Sequence, residues 1–388
     1  MIDKLNQYRF ICLSILGMLI CLISCQTDKS NGIPNPIEAQ YFEDYESPTN
    51  KWGYIDTRGQ VIIESKYDDA RDFSCLRAAV NLNGKWGFID RAGQLIIEPY
   101  FKQVIDFQND RTFAQDFNLD WWLINIDGDT ISKMQYDDFR PYINNLSVVN
   151  MGGSWGLIDT SGTEVLPTSY QAIKVLSADL FALKTDNQWT LQNRNFKKIT
   201  SDTYQNIIAI DSNFIKFLNE GSWRIMDLRN LQASEGFKRI SHVQNELCWA
   251  YDGIAYFLLD KLVATDIKIN AEMILPGGSN LWRYKQDGQW GLINSQGNTV
   301  LPPVFEFLNA FSSSRAAFGR GNVWGYIDTK GSEVIPPSLP LAWDFKDGKA
   351  RIIAYGGFGV IDTSGYVLVA PQFSELRDFY QGRARFQR

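Results

Sequence analysis

Lys85-Trp86-Gly87-Phe88-Ile89-Asp90-Arg91-Ala92-Gly93-Gln94-Leu95-Ile96-Ile97-Glu98-Pro99 reads as a short strand, a tight turn and a second strand. Trp-Gly opens the first strand, Asp-x-x-Gly makes the turn, and the Val- and Ile-rich type of segment that follows is stopped by proline. Just upstream, Arg77-Ala78-Ala79-Val80 supplies another strand, ending at the turn pair Asn83-Gly84. The same order returns at Arg315-Ala316-Ala317-Phe318 and Trp324-Gly325-Tyr326-Ile327-Asp328-Thr329-Lys330-Gly331. The anchor aromatic recurs every 33 to 35 residues, as Trp52, Trp86, Trp121, Trp155, Trp189, Trp223, Tyr256, Trp290, Trp324 and Phe358. A unit this small cannot bury its own apolar face, so its copies must stack and cover one another.

The fold class that follows is all-β: a tandem array of about ten units of ~34 residues over 51–388, each with three strands. A connector such as Tyr67-Asp68-Asp69-Ala70-Arg71-Asp72-Phe73 follows the third strand and is expected to hold one helical turn. Such units either run open as a curved, solenoid-like stack or close into a β-propeller-like ring. Propeller blades typically have four strands and rings four to eight blades, so three strands and ten units favour the open stack. The alternative ring draws on Gly382-Arg383-Ala384-Arg385-Phe386, a first strand at the chain end that would complete the first unit.

Four residues after each anchor stands Asp or Asn: Asp56, Asp90, Asn125, Asp159, Asn193, Asp227, Asp260, Asn294, Asp328 and Asp362. A row of carboxylates invites a calcium reading, but calcium needs six or more clustered oxygens. Asn serves as well as Asp when the side chain accepts a backbone N–H two residues on and fixes a turn. Glycine three residues later, as at Gly59, Gly93 and Gly331, fits that turn. The anchors, and the further aromatics such as Tyr67 and Phe73, are read as core and structural spine rather than as a ligand platform.

Lys51-Trp52-Gly53-Tyr54-Ile55-Asp56 and its copies resemble the WG-repeat (KWG-repeat) family of bacterial β-rich arrays. The resemblance spans 51–388. It is weakest in units five to seven, where Thr190, Arg224 and Phe257 replace the glycine after the anchor and Phe196, Asn230 and Val263 replace the turn glycine. It implies binding or scaffolding without a common ligand, and brings no catalytic motif.

The chain start carries a second resemblance. Lys4 and Arg9 precede an apolar run from Phe10 to Ser24, which ends in Leu22-Ile23-Ser24-Cys25. This resembles a bacterial lipoprotein signal with its lipobox, and the apolar run is short for a membrane span. The resemblance implies a signal peptide over 1–24, lipidation at Cys25 and a membrane anchor at the amino terminus. Residues 25–50, with Pro34-Asn35-Pro36, then form a flexible tether. Gln26 after the cysteine points to the outer membrane of the cell envelope, with the face left open.

Of the five cysteines, Cys12 and Cys21 leave with the signal, and Cys75 and Cys248 are expected to be unpaired. A formal charge of −6 gives no basic footprint for nucleic acid. The lone His242 has no ligand-spaced partner, so neither metal nor cofactor is expected. No nucleophile or phosphate-loop motif occurs. The expected function is therefore a lipid-anchored scaffold binding other proteins through its repeat surface. Glycan or peptidoglycan binding is the alternative, and a degenerate two-carboxylate hydrolase a more remote one. Repeat arrays bind through residues that differ between copies. That directs attention to Arg224, Arg239, His242, Trp249, Trp282 and Arg283, in or beside the divergent units.

Overall fold

The computed structural model describes residues 50–388 apart from Ser212. The signal, Cys25 and nearly all of the tether lie outside them. The described residues form ten small antiparallel sheets, nine of four strands and one of three. Each is a blade of a closed β-propeller.

The blades do not coincide with the sequence repeats. Blade 1 comprises Asp69–Ala70, Ala78–Leu82, Lys85–Ile89 and Leu95–Phe101. Its first two strands precede the anchor Trp86, and its last two follow from it. The connector read as a helical turn is therefore a two-residue strand, Asp69–Ala70, paired with Asn81 and Val80. This supplies the fourth strand that the repeat pattern lacked.

The open stack is corrected to a ring for the same reason. Offset by half a unit, the described residues open with the last two strands of a blade and close with its first two. Trp52–Asp56 and Val61–Tyr67 join Glu375–Leu376 and Arg383–Gln387 in one sheet, blade 10. Gly53 pairs with Phe386, and Asp56 with Arg383. Arg385 Nε reaches Asp72 at 2.8 Å, and Arg383 Nε donates to Arg91 O at 3.0 Å. The latter bond repeats around the ring: Arg77 to Ile126 O, Arg111 to Thr160 O and Arg315 to Thr363 O. The closing junction is thus built like those of Arg77, Arg111 and Arg315.

The core lies between blades. Successive residues of a strand face opposite sides, so Tyr54 packs with Phe73, Ala78 and Val80 of blade 1, whereas Ile55 packs with Val360 and Val369 on the other side. Burial on both faces makes the Trp-Gly strand apolar throughout. The anchor stands opposite the aromatic about 15 residues on: Trp52 with Tyr67, Trp86 with Phe101, Trp155 with Tyr170 and Trp290 with Phe305. The third aromatic fills the junction, as Phe73 does edge-on to Tyr54 with centroids 5.1 Å apart.

The two glycines of the motif have separate causes. After the anchor, the partner strand bulges inward, so a Cβ on Gly87 would sit 2.4 Å from Ile97 O. In the turn, Gly93 has φ +88° and abuts Ile63 of the neighbouring blade.

Blade 4 is the three-stranded one, with Ala172–Val175, Leu180–Thr185 and Gln188–Asn193. Blade 5 keeps only Gln232–Ala233 as its fourth strand, after Asn206–Ala209, Phe214–Asn219 and Ser222–Asp227. Blade 6 (Arg239–Ile240, Leu247–Tyr251, Tyr256–Asp260, Val263–Ile269) and blade 7 (Met273–Gly278, Leu281–Gln286, Gln289–Asn294, Thr299–Phe305) regain four, as do blade 8 (Phe307–Leu308, Arg315–Arg320, Val323–Asp328, Glu333–Leu339) and blade 9 (Leu341–Ala342, Lys349–Ala354, Gly357–Asp362, Val367–Phe373).

Candidate functional site

The turn residues act within their own turns. Asp90 Oδ1 accepts from Ala92 N and Gln94 N at 2.9 Å each, and Asn294 does the same for Gln296 N and Asn298 N. Asp56, Asn125, Asp159, Asn193, Asp328 and Asp362 repeat both bonds. Asp227 keeps the bond to Arg229 N and gains the Arg229 guanidinium at 2.7 Å. Asp260 sits in a tighter turn, where Lys261 and Leu262 both have positive φ. Among the described residues no group of three His, Cys, Asp or Glu stands close enough to hold a metal.

The anchors are half-buried or buried, and most lie beneath a cation. Arg71 covers Trp86 at 4.9 Å, Arg140 covers Trp155 at 4.8 Å, Lys174 covers Trp189 at 4.7 Å, and Lys216 covers Trp223 at 5.1 Å. Arg283 covers Trp290 and Arg385 covers Trp52. A cation over an aromatic face is held by the ring quadrupole. The cation also crosses to the next blade, donating to a carbonyl of its first strand. Arg71 reaches Val104 O, Lys174 Ile207 O, Lys216 Ile240 O, Arg283 Leu308 O, Arg351 Leu376 O and Arg385 Ala70 O.

Two residues beyond that carbonyl, the ring divides. After Val104, Leu376 and Ala70 come Asp106, Asp378 and Asp72, which pair with Arg71, Arg351 and Arg385 at 3.3, 2.6 and 2.8 Å. After Ile207, Ile240 and Leu308 come Ala209, His242 and Ala310. Lys174, Lys216 and Arg283 therefore meet no carboxylate there. Burial pushes the pKa of all three down from its ordinary value.

One of these junctions opens into a cleft of about 280 Å³. Its walls come from blades 5, 6 and 7: Lys216 and Trp223, then Arg239, Ser241 and Tyr256, then Met273 with Leu275. Arg239 is exposed, its guanidinium 4.5 Å above the Tyr251 ring. Cys248, beside Lys216, is buried, and burial pushes its thiol up to about 12. The charge facing the cleft is positive.

The six candidate residues do not converge. Arg239 lines the cleft. His242 is exposed at the position of the missing acid. Arg224 shares the opposite strand face with Phe217, its cross-strand partner, and its Nε is buried without a hydrogen bond. Arg283 donates to Pro276 O and Leu308 O. Trp249 and Trp282 are 0% and 1% exposed, which removes them from any surface and corrects that reading. Trp249 stands opposite Leu258, the register at which Lys216 stands opposite Ile225 and Arg283 opposite Leu292. A core aromatic there replaces a cation. Cys75 and Cys248 form no disulfide. Lys216 was missed from the sequence; its signal was a cation seven residues before the anchor Trp223, as Arg283 and Arg351 stand before Trp290 and Phe358.

Family comparison agrees with this geometry. The WG containing repeat model matches residues 52–86, 86–116, 123–155, 155–189, 290–323, 324–353 and 358–388. The chain belongs to the WG-repeat family, and the class is that of a repeat β-propeller, a binding or scaffold module. The gap between 189 and 290 contains the cleft. No curated protein matches the chain. Among solved structures, BamB from Moraxella catarrhalis is similar at 9% identity and TM-score 0.34, over 83% of this chain and 97% of that one. A eukaryotic initiation factor is similar at 10% identity and TM-score 0.44, over 87% and 98%. Dihydro-heme d1 dehydrogenase NirN gives 13% identity and TM-score 0.35, over 64% and 69%.

Proposed function

We propose that this chain is a lipid-anchored binding module of the bacterial cell envelope, held by Cys25 and its tether, which recruits a protein partner through blades 4 to 7. One observation carries the reading. Blades 4, 5 and 7 keep a cation over the anchor, Lys174, Lys216 and Arg283, yet the carboxylate partner is gone at Ala209, His242 and Ala310, so the ring is chemically distinct on one arc. Half-burying a charge with no carboxylate beside it costs solvation free energy, and retaining it fits a surface whose counter-charge arrives with a partner. A protein is preferred over a glycan because six of the ten anchors, among them Trp189, Trp223 and Trp290 on this arc, lie under cations and offer no open stacking face. The outer membrane is the proposed address.

The test uses the tagged full chain in its own envelope. Capture of a defined partner, lost when Lys174, Lys216 and Arg283 are replaced together by Met, supports the reading. Capture that survives those changes and depends instead on blades 8 to 10 counts against it. Cys25→Ala should move the protein out of the membrane fraction; unchanged retention would refute the anchor.

A further inference from the structure

The cleft beside Lys216 has a chemistry that can be specified further, on the reading that this arc binds a protein. We propose that it receives one carboxylate side chain of an extended polypeptide, whose neighbouring apolar residues lie along Met273, Phe307 and Leu341.

Charge supports the carboxylate. Lys216 Nζ is held at the cleft wall by Ile240 O at 3.1 Å and by the Trp223 ring, so it is positioned without being neutralised. Arg239 stands in the same cleft, its guanidinium over the Tyr251 ring. Nearby acids are engaged elsewhere. Glu272 accepts from Gly288 N at 2.9 Å, and Asp252 accepts from Ile254 N and Ala255 N at 2.7 and 3.0 Å. In blades 9 and 10 the corresponding cations, Arg351 and Arg385, each bind an aspartate two residues beyond the shared carbonyl. The arriving carboxylate would fill the place that Asp378 and Asp72 hold there.

Volume supports a side chain rather than a whole small molecule. The cleft, at about 280 Å³, lies at the lower edge of the roughly 300–1,000 Å³ usual for small-molecule sites. The register supports apolar flanks. The opening residue of the first strand is polar at Asp69, Gln103, Asp138, Asn206, Arg239 and Glu375 and small at Ala172, but large and apolar at Met273, Phe307 and Leu341 in blades 7, 8 and 9. These three are 38%, 52% and 37% exposed. An apolar run at one register in three consecutive blades, ending beside two cations, complements an acidic residue followed by apolar ones.

The test is an array of seven-residue peptides that place one or two Asp or Glu among apolar residues, each beside its Asn or Gln counterpart, probed with labelled full chain. Wild type should retain acidic peptides roughly tenfold over their amide counterparts. Lys216→Met should abolish that preference. His242→Asp is the sharper variant, because it supplies the acid that the other junctions carry. It should keep the melting temperature at or above wild type and still remove the preference. Equal retention of acid and amide peptides, or preference surviving His242→Asp, overturns the proposal. So does binding of phosphatidylglycerol vesicles or oligogalacturonate without discrimination among peptides. If His242→Asp loses peptide selection but keeps the envelope partner, the partner docks elsewhere. If peptides are selected and no partner is captured, the recruiting role fails while the cleft chemistry stands.

Discussion

Blades 1 and 5 were built from the same unit and show which parts the fold requires. Both keep the anchor bridged to an aromatic further along, Trp86 to Phe101 and Trp223 to Phe237. Both feed alternate residues into two inter-blade cores. Blade 1 has Gly87 and a seven-residue last strand, whereas blade 5 has Arg224 at that position and a two-residue last strand. Blade 4, with Thr190, closes against its last segment only through the bridges Trp189 to Tyr204 and Gln192 to Lys198. The anchor and the alternation hold the ring. The glycine serves the regular bulged pairing of the last strand, and a blade survives its replacement once that pairing is given up.

The largest expected effect comes from the seam. Deleting residues 383–388 strips Trp52–Asp56 of one of its two partner strands and opens the ring, and should abolish cooperative melting, because a domain's whole stability is only roughly 5–15 kcal/mol. A ring surviving as a monomer with an unchanged melt would show that closure is ornamental. Next, Gly87→Val forces a side chain onto Ile97 O and should cost about 3 kcal/mol. Thr190→Gly, the reverse change in blade 4, should cost about 1 kcal/mol. Equal costs in paired denaturation curves would erase the distinction between kept and drifted blades. Asp90→Ala should cost about 1 kcal/mol by freeing two turn donors. Asp260→Ala should stay within about 0.5 kcal/mol.

Acid sharpens the same comparison. Burial alone would raise the Asp159 carboxyl, but Ser161, Thr163 and Gly162 donate to this residue and hold its pKa below the ordinary value. A folded pKa below the unfolded one contributes stability that is present above the usual carboxylate range, near ~4, and is lost as pH falls through the lower folded value. Asp159→Asn should therefore stay within about 1 kcal/mol of wild type at neutral pH and lose stability less steeply in acid, since Asn125 and Asn294 already make this turn. An acid limb as steep as wild type would show that this turn carboxylate does not contribute to it.

The sequence disclosed the anchors and turns because each is dictated locally: a ring facing its partner aromatic, an Asp capping its own turn. It concealed the strand Asp69–Ala70, since two residues carry no periodicity. It offered the ring only as the alternative: residues 382–386 were legible as a closing strand, but without the fourth strand of each blade the count favoured an open stack, and pairing such as Gly53 with Phe386 decides for closure. Trp249 and Trp282 looked like variable surface because they are off the anchor register, yet each faces a core. The missing acids at Ala209, His242 and Ala310 became visible only once Arg385 and Arg351 showed which carbonyl and which carboxylate belong together.

The seam also sets a clock. Arg385 meets Ala70 and Asp72 across more than 300 residues of chain. At roughly 5–20 residues per second, synthesis leaves the first strand waiting tens of seconds for its mate. Throughout that interval Trp52–Asp56, paired on one side with Val61–Tyr67, leaves its other edge open and apolar, the kind that captures other strands. Newborn chains are thus most vulnerable to one another before the last six residues arrive, and a helper that shields the amino-terminal strand would matter only during that wait.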